Sequence, residues 1–236
     1  SGIAIRGYVE HSGLAATLRE LHMVWHPRLR GGYGWIFPVP GGRFNIGAGL
    51  TGSHIQTRAG KGRMQDVNLR EMFQAFCDVY APARELAENG RWDGGMKSAL
   101  KGAPLRCSLI GSKWSAPGLI VTGEAAGSTY AFSGEGIGKA METGMLAAEA
   151  LVQDTRLGSD AAVRAHYEAS LAALKPRFDL YETASRVNHH PWLADLVIWR
   201  ARNSARIRQR LSGMLEETQN PGNLFTWRGM GKLMFE

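Results

Sequence analysis

Gly118-Leu119-Ile120-Val121-Thr122-Gly123-Glu124-Ala125-Ala126-Gly127, followed by Ser133-Gly134-Glu135-Gly136-Ile137-Gly138, is the stretch on which the fold assignment turns. Leu119 to Thr122 is a short apolar run between glycines, the pattern of a buried strand. A glycine-rich turn follows, and a helix is predicted from about Gly134. Ile137, Ala140, Met141, Gly144, Met145, Ala148 and Leu151 recur at helical spacing as one stripe, small enough for close packing on a sheet. A strand, a tight turn and a helix start suit an anionic or strongly polar ligand. The helix start offers unpaired N–H groups and the positive end of the dipole. Glycines at 134, 136 and 138 let backbone approach a flat ring, and Glu124 is placed to accept hydrogen bonds from ligand hydroxyls. A tight connection whose small residues serve only packing has the same pattern, and the pattern alone leaves both open.

Upstream, the chain is rich in strand signals. Ile3 to Val9 alternates from the outset, which predicts a chain beginning within a sheet, with no initiator methionine, signal peptide or lead-in. Tyr33 to Val39, a Pro40-Gly41-Gly42 turn and Arg43 to Ala48 predict a hairpin. Alternation places Tyr33, Trp35 and Phe37 on one strand face, either as core aromatics or as a wall for an apolar substrate. Val67 to Tyr80 has helical spacing, a short helix is predicted to end at a left-handed Asn89-Gly90 stop, and Met96 to Cys107 reads as extended. Beyond Asp154 the chain reads as helical, with breaks at Gly158, Pro176, Pro191 and Asn220-Pro221.

Taken together, Gly123-Glu-Ala-Ala-Gly127, Phe132-Ser-Gly-Glu-Gly-Ile137, Ala140-Met-Glu-Thr-Gly144 and Ala147-Ala-Glu149 resemble the second flavin motif of the geranylgeranyl reductase family. These are aromatic-hydroxylase-like, FAD-dependent flavoproteins. Tyr33-Gly34-Trp35-Ile36-Phe37-Pro38 resembles the same family's Y-x-W-x-F-P signature, whereas related halogenases carry W-x-W-x-I-P. The resemblance runs from about Ile3 to Leu151. It implies FAD as cofactor, held by Gly123, Glu124, Ala125, Ala126, Gly127, Gly134, Glu135, Gly136 and Ile137. The motif acid would hold the ribityl chain or pyrophosphate, and the loop and helix start would face the isoalloxazine ring. Glu124 stands where the family usually has aspartate. The resemblance further implies an isoprenoid or other apolar small-molecule substrate against Tyr33, Trp35, Phe37 and Pro38.

Gly47-Ala48-Gly49-Leu50-Thr51-Gly52 matches the letters of the G-x-G-x-x-G dinucleotide fingerprint, but Ser53 to Gly62 does not open an amphipathic helix, so a hairpin edge is expected instead. In the resembling family the fingerprint lies near the amino terminus, which implies that the ADP-binding portion is supplied elsewhere in the same or another chain.

The 236 residues, 44% hydrophobic and 21% charged, have an ordinary globular composition. A net charge of +7 permits an anionic partner, but no nucleic-acid module is recognisable. Cys77 and Cys107 read as free thiols of a reducing cytoplasm, and His22 and His26, on an extended segment, do not predict a metal site. Six arginines against Asp195 between Arg186 and Arg210 flank an apolar helical face of Trp192, Leu193, Leu196, Trp199, Ile207, Leu211 and Met214. That face suits either an anionic membrane surface or packing on the protein itself.

The expected fold is α+β, in three parts. An antiparallel substrate-binding sheet spans residues 1–101, the returning strand–helix of a Rossmann-like FAD domain 102–153, and a helical tail 154–236. The expected protein is a cytoplasmic FAD-dependent oxidoreductase, peripheral to the membrane if the tail contacts it, that reduces isoprenoid C=C bonds. The alternatives are an FAD-dependent monooxygenase or halogenase, and a non-catalytic fragment.

Overall fold

The computed structural model describes residues 2–29, 31–52, 54–56, 62–64, 67–154, 159–185 and 191–215. In chain order the elements are β1 (Gly2–Glu10), α1 (Ser12–Ala15), β2 (His22–Val24), β3 (Gly32–Val39), β4 (Arg43–Thr51), β5 (His54–Gln56) and β6 (Gly62–Met64). Then come α2 (Leu69–Val79), α3 (Ala81–Asn89), β7 (Arg91–Trp92), α4 (Met96–Ala99), β8 (Lys101–Leu105), β9 (Ser115–Ala116) and β10 (Leu119–Ile120). The last are α5 (Ile137–Asp154), α6 (Asp160–Ser185), α7 (Pro191–Asn203) and α8 (Ala205–Leu215). Two compact units result, one built on Gly2–Pro104 and the other on the described residues from Leu105 through α6, with α8. Among the described residues no helix is long and apolar enough to cross a membrane.

The sheet unit is an antiparallel sheet in the order β2-β3-β4-β1-β7, with β8 also paired to β1. Its hairpin is tight: Val39 pairs with Arg43, and Gly41 and Gly42 take the positive φ values the turn needs. Strand alternation then sorts the residues by face. Ile5, Val9, Phe44, Ile46, Leu50 and Ile36 form the buried side. Helix α2 covers it with Met72, Phe73, Phe76 and Cys77, after Asn68 caps its start by accepting the Arg70 and Glu71 N–H groups. Contact is close enough that a Cβ at Gly34 would lie 2.3 Å from the Phe76 ring. Burial, with Asp78 nearby, pushes the Cys77 thiol up to about 12, so it is an inert core group.

Several expectations are corrected here. Gly47–Gly52 does not lie at a hairpin edge, because β4 is hydrogen-bonded to β3 on one side and β1 on the other. Gly90 ends α3 in extended backbone (φ −75°) and not in the left-handed stop. Its glycine is required by space: a Cβ there would sit 2.2 Å from Val9 Cγ2 and 2.3 Å from the Leu86 carbonyl. Met96–Ala99 forms a helical turn, so the extended stretch begins only at Lys101.

In the second unit α5 packs along α6. The buried residues of α5 are Lys139, Thr143, Ala147 and Ala150, the two alanines packing with Val163, Tyr167 and Leu171. The expected single stripe is thus split. Ile137, Met141, Met145 and Leu151 are exposed, with Met141 65% accessible. The strand before the turn is also shorter and less buried than expected. It comprises Leu119 and Ile120 paired only with β9 among the described residues, and Leu119 is exposed. Pro176 does not break α6, since Leu171 and Phe178 on either side of it are fully buried and that packing outweighs the lost hydrogen bond. The basic tail is two helices, not one. Ser204 separates α7 from α8 and accepts the Ile207 N–H, Ile207 is buried, and Trp199 is exposed. Arg186 and the side chains of Trp192, Leu193 and Met214 lie outside the described residues.

Candidate functional site

The glycine-rich turn is a built structure. Gly123–Ala126 forms one 3-10 turn that closes on Gly127 in the left-handed region, at φ 83°. The Gly123 N–H donates to Thr143 Oγ1 at 2.9 Å, and Thr143 in turn donates to the Lys139 carbonyl at 3.0 Å. A buried hydroxyl on α5 therefore fixes the start of the turn. From the other side Ser108 and Leu109, both at positive φ, donate to the Thr129 and Gly127 carbonyls. Two consecutive non-glycine residues in that region are held only because the surrounding hydrogen bonds over-determine them.

Within this frame Glu124 and Ala125 are exposed while Ala126 and Gly127 are buried. Glu124 Oε1 accepts the Arg106 N–H at 2.8 Å, and the Arg106 guanidinium reaches the Ala125 carbonyl. The second carboxylate oxygen of Glu124 belongs to an exposed side chain and is available to a ligand. Gly134, Glu135 and Gly136 are half-buried at the entry to α5, and Ile137 is exposed. Glu135 Oε1 accepts the Gly138 N–H at 2.7 Å, so the protein's own carboxylate takes part of the helix start. Its Oε2 is buried with no partner among the described residues. A Cβ on Gly136 would lie 3.0 Å from Thr129 Oγ1, which accounts for glycine there. An orphaned buried carboxylate oxygen beside a glycine-lined turn fits a polar ligand carrying hydroxyl or N–H donors, as FAD does.

Helix α5 carries a second polar group facing its own unit. Burial works against ionisation of Glu142, but hydrogen bonds from Arg177 and Lys139 outweigh it and hold the carboxyl below its usual range. Lys139 also lies 5.2 Å from the Tyr130 ring centroid, and Tyr130 stacks on Tyr181 at 4.0 Å.

On the sheet unit, Tyr33, Trp35 and Phe37 stand on the face opposite the core. They are half-buried, and their centroids follow at 5.9 and 6.2 Å. Trp25 extends the series, 5.5 Å from Tyr33. Pro38 departs from the expectation, because it pairs with Phe44 and alternation assigns it to the core side. Gly47 and Asn45, which sequence reasoning passed over, belong to this wall. Trp35 Nε1 donates to Asn45 Oδ1 at 3.0 Å, and a Cβ at Gly47 would collide with Trp35 Cζ2 at 2.4 Å. Counting back from the Pro40-Gly41-Gly42 turn would have paired Trp35 with Gly47. Sequence reasoning gave no role to Trp25, Thr143 or Arg106, whose roles depend on contacts across the fold.

No family model matches the chain. It is 30% identical over 155 residues to a menaquinone reductase of Mycolicibacterium smegmatis, covering 63% of this chain and 34% of that protein. To a digeranylgeranylglycerophospholipid reductase of Methanosarcina mazei it is 31% identical over 134 residues, covering 57% of this chain and 28% of the relative. The chain thus spans about a third of the length of the curated relatives it matches. A geranylgeranyl bacteriochlorophyll reductase-like structure from Thermoplasma acidophilum superposes with a TM-score of 0.56 at 17% identity, over 83% of this chain and 46% of that one. The mixed helices and antiparallel sheet are those of FAD-dependent oxidoreductase-like folds. In sequence the chain is similar to the menaquinone reductase and digeranylgeranylglycerophospholipid reductase named above.

Proposed function

We propose that this chain is part of an FAD-dependent oxidoreductase that reduces carbon–carbon double bonds of an isoprenoid substrate. The observation that carries the reading is the Trp25–Tyr33–Trp35–Phe37 series on the face of the sheet opposite α2. Core aromatics would point toward α2, and these point away from it. A row of rings holds a polyprenyl chain by contact area and needs no directional polar group.

In this reading the 123–138 turn holds FAD, which supplies hydride when bound and reduced. Glu124 accepts from the ribityl hydroxyls, and Glu135 Oε2 finds its missing donor. The returning strand and α5 are the end of a Rossmann-like FAD domain, and the exposed Ile137, Met141 and Met145 take a further layer of it from the same or another polypeptide. Glu124→Ala in the holoprotein is expected to weaken flavin affinity by about 1.5–3 kcal/mol through loss of a charge-assisted hydrogen bond. Flavin titration that finds unchanged affinity removes Glu124 from the site.

The reaction itself is tested anaerobically. Chemically reduced holoprotein incubated with a polyprenyl substrate is expected to give the product two mass units heavier for each bond reduced. Product that forms only with dioxygen and gains oxygen, or that incorporates halide, makes the protein a monooxygenase or halogenase instead.

A further inference from the structure

Trp35 has two sides on which its ring could lie. Its register partners are Met23 on β2 and Gly47 on β4. The indole lies over β4. Its Nε1–H donates to Asn45 Oδ1 at 3.0 Å, and a Cβ built on Gly47 would stand 2.4 Å from its Cζ2. The five-membered and six-membered rings are thus each held at one point, by residues two apart on the same face of one strand. The two contacts differ in kind. An indole N–H only donates, so the half-buried Asn45 has to present its carboxamide oxygen, and a diagonal cross-strand neighbour is within reach of side chains of this length. Gly47 acts by what it lacks, since any larger residue would take the place of the ring.

A wall that binds by contact area depends on rings that keep their places, because a tryptophan free to change rotamer has to be ordered again at each binding event. Building on the reading of the wall as the substrate's seat, we infer that Asn45 is a positioning residue for substrate binding that acts through Trp35. It fixes the indole over the gap at Gly47 and away from Met23. It also takes up an N–H that would otherwise meet an apolar chain without an acceptor. Asn45 therefore sets how tightly the chain is held and leaves the rate of hydride transfer alone.

Indole and ligand are read separately in the 236-residue chain. In isotope-labelled protein the Trp35 side-chain N–H resonance is the one missing from Trp35→Phe. It is expected to exchange with water about tenfold faster in Asn45→Ala and to recover in Asn45→Asp, which keeps an acceptor oxygen. Geranylgeraniol, titrated calorimetrically, is expected to bind about five- to tenfold more weakly to Asn45→Ala and near the parent value to Asn45→Asp. In a Trp35→Phe background, which has no N–H to hold, Asn45→Ala is expected to add no further loss. An indole resonance indifferent to Asn45→Ala, an unchanged affinity, or a loss that persists in the Trp35→Phe background each overturns the assignment. In the holoprotein Asn45→Ala is expected to raise KM at constant kcat, and a fall in kcat at constant KM sinks the positioning role. Trp35→Ala tests the underlying reading by itself: if it binds geranylgeraniol as the parent does, the wall reading fails while the hold of Asn45 on the indole stands. Circular dichroism verifies the fold of each variant. If Asn45→Ala does not fold, Asn45→Leu, which is close to asparagine in size, is compared with Asn45→Asp in its place.

Discussion

Replacing Phe76 with alanine lowers the stability of the sheet unit by about 3–5 kcal/mol, the range for emptying an aromatic site in a packed core. Phe76 is fully buried, stacks on Tyr80 at 5.9 Å, and fills the space that glycine leaves at position 34. The site relaxes poorly. Gly34 has no side chain to follow the lost ring, and its strand is fixed by hydrogen bonds to neighbours on both sides. Urea unfolding followed by far-ultraviolet circular dichroism measures the effect, with Phe76→Leu expected to lose less. A loss below about 1 kcal/mol for the alanine variant would mean that α2 does not close this core.

Thr143→Val is expected to cost about 1–3 kcal/mol and to loosen the glycine-rich turn together with it. Valine matches threonine in shape, so the substitution isolates the hydroxyl. Its oxygen is the partner of the Gly123 N–H in a fully buried position, and no other group replaces it. The variant leaves a buried donor unsatisfied at the first residue of the turn that presents Glu124. Chemical unfolding and flavin titration of the holoprotein are both expected to shift, and Thr143→Ser, which keeps the hydroxyl, to restore most of each. If valine alters stability but not flavin affinity, the hydroxyl braces the helix without positioning the turn.

These two residues differ in how far the sequence announced them. Phe76 was legible, since it shares a helical stripe with Phe73, Met72 and Cys77, and burial of that stripe follows from periodicity. Thr143 was not. It sits one residue before Gly144 in a motif read for its small residues, and its role arises only where α5 meets the end of a strand twenty residues earlier. The same division runs through the wall. Alternation put Tyr33, Trp35 and Phe37 on one face, but could not say whether that face was the core.

Local chemistry was enough for the hairpin, for α2, for the glycine-rich turn and for the aromatic row, because each depends on neighbours within a few residues and on a period of 2 or 3.6. Which face each element buries was decided by packing over long separations. Phe76 against Gly34 turned the aromatic row outward, and α6 against α5 left Ile137, Met141 and Met145 exposed where one apolar stripe was expected. Pairing of β4 with β1 as well as β3 made a sheet interior of what read as an edge, and it set Arg6 and Tyr8 beside the aromatic wall. Register between strands so far apart in the chain is fixed by the whole core at once, and no short stretch of sequence contains it.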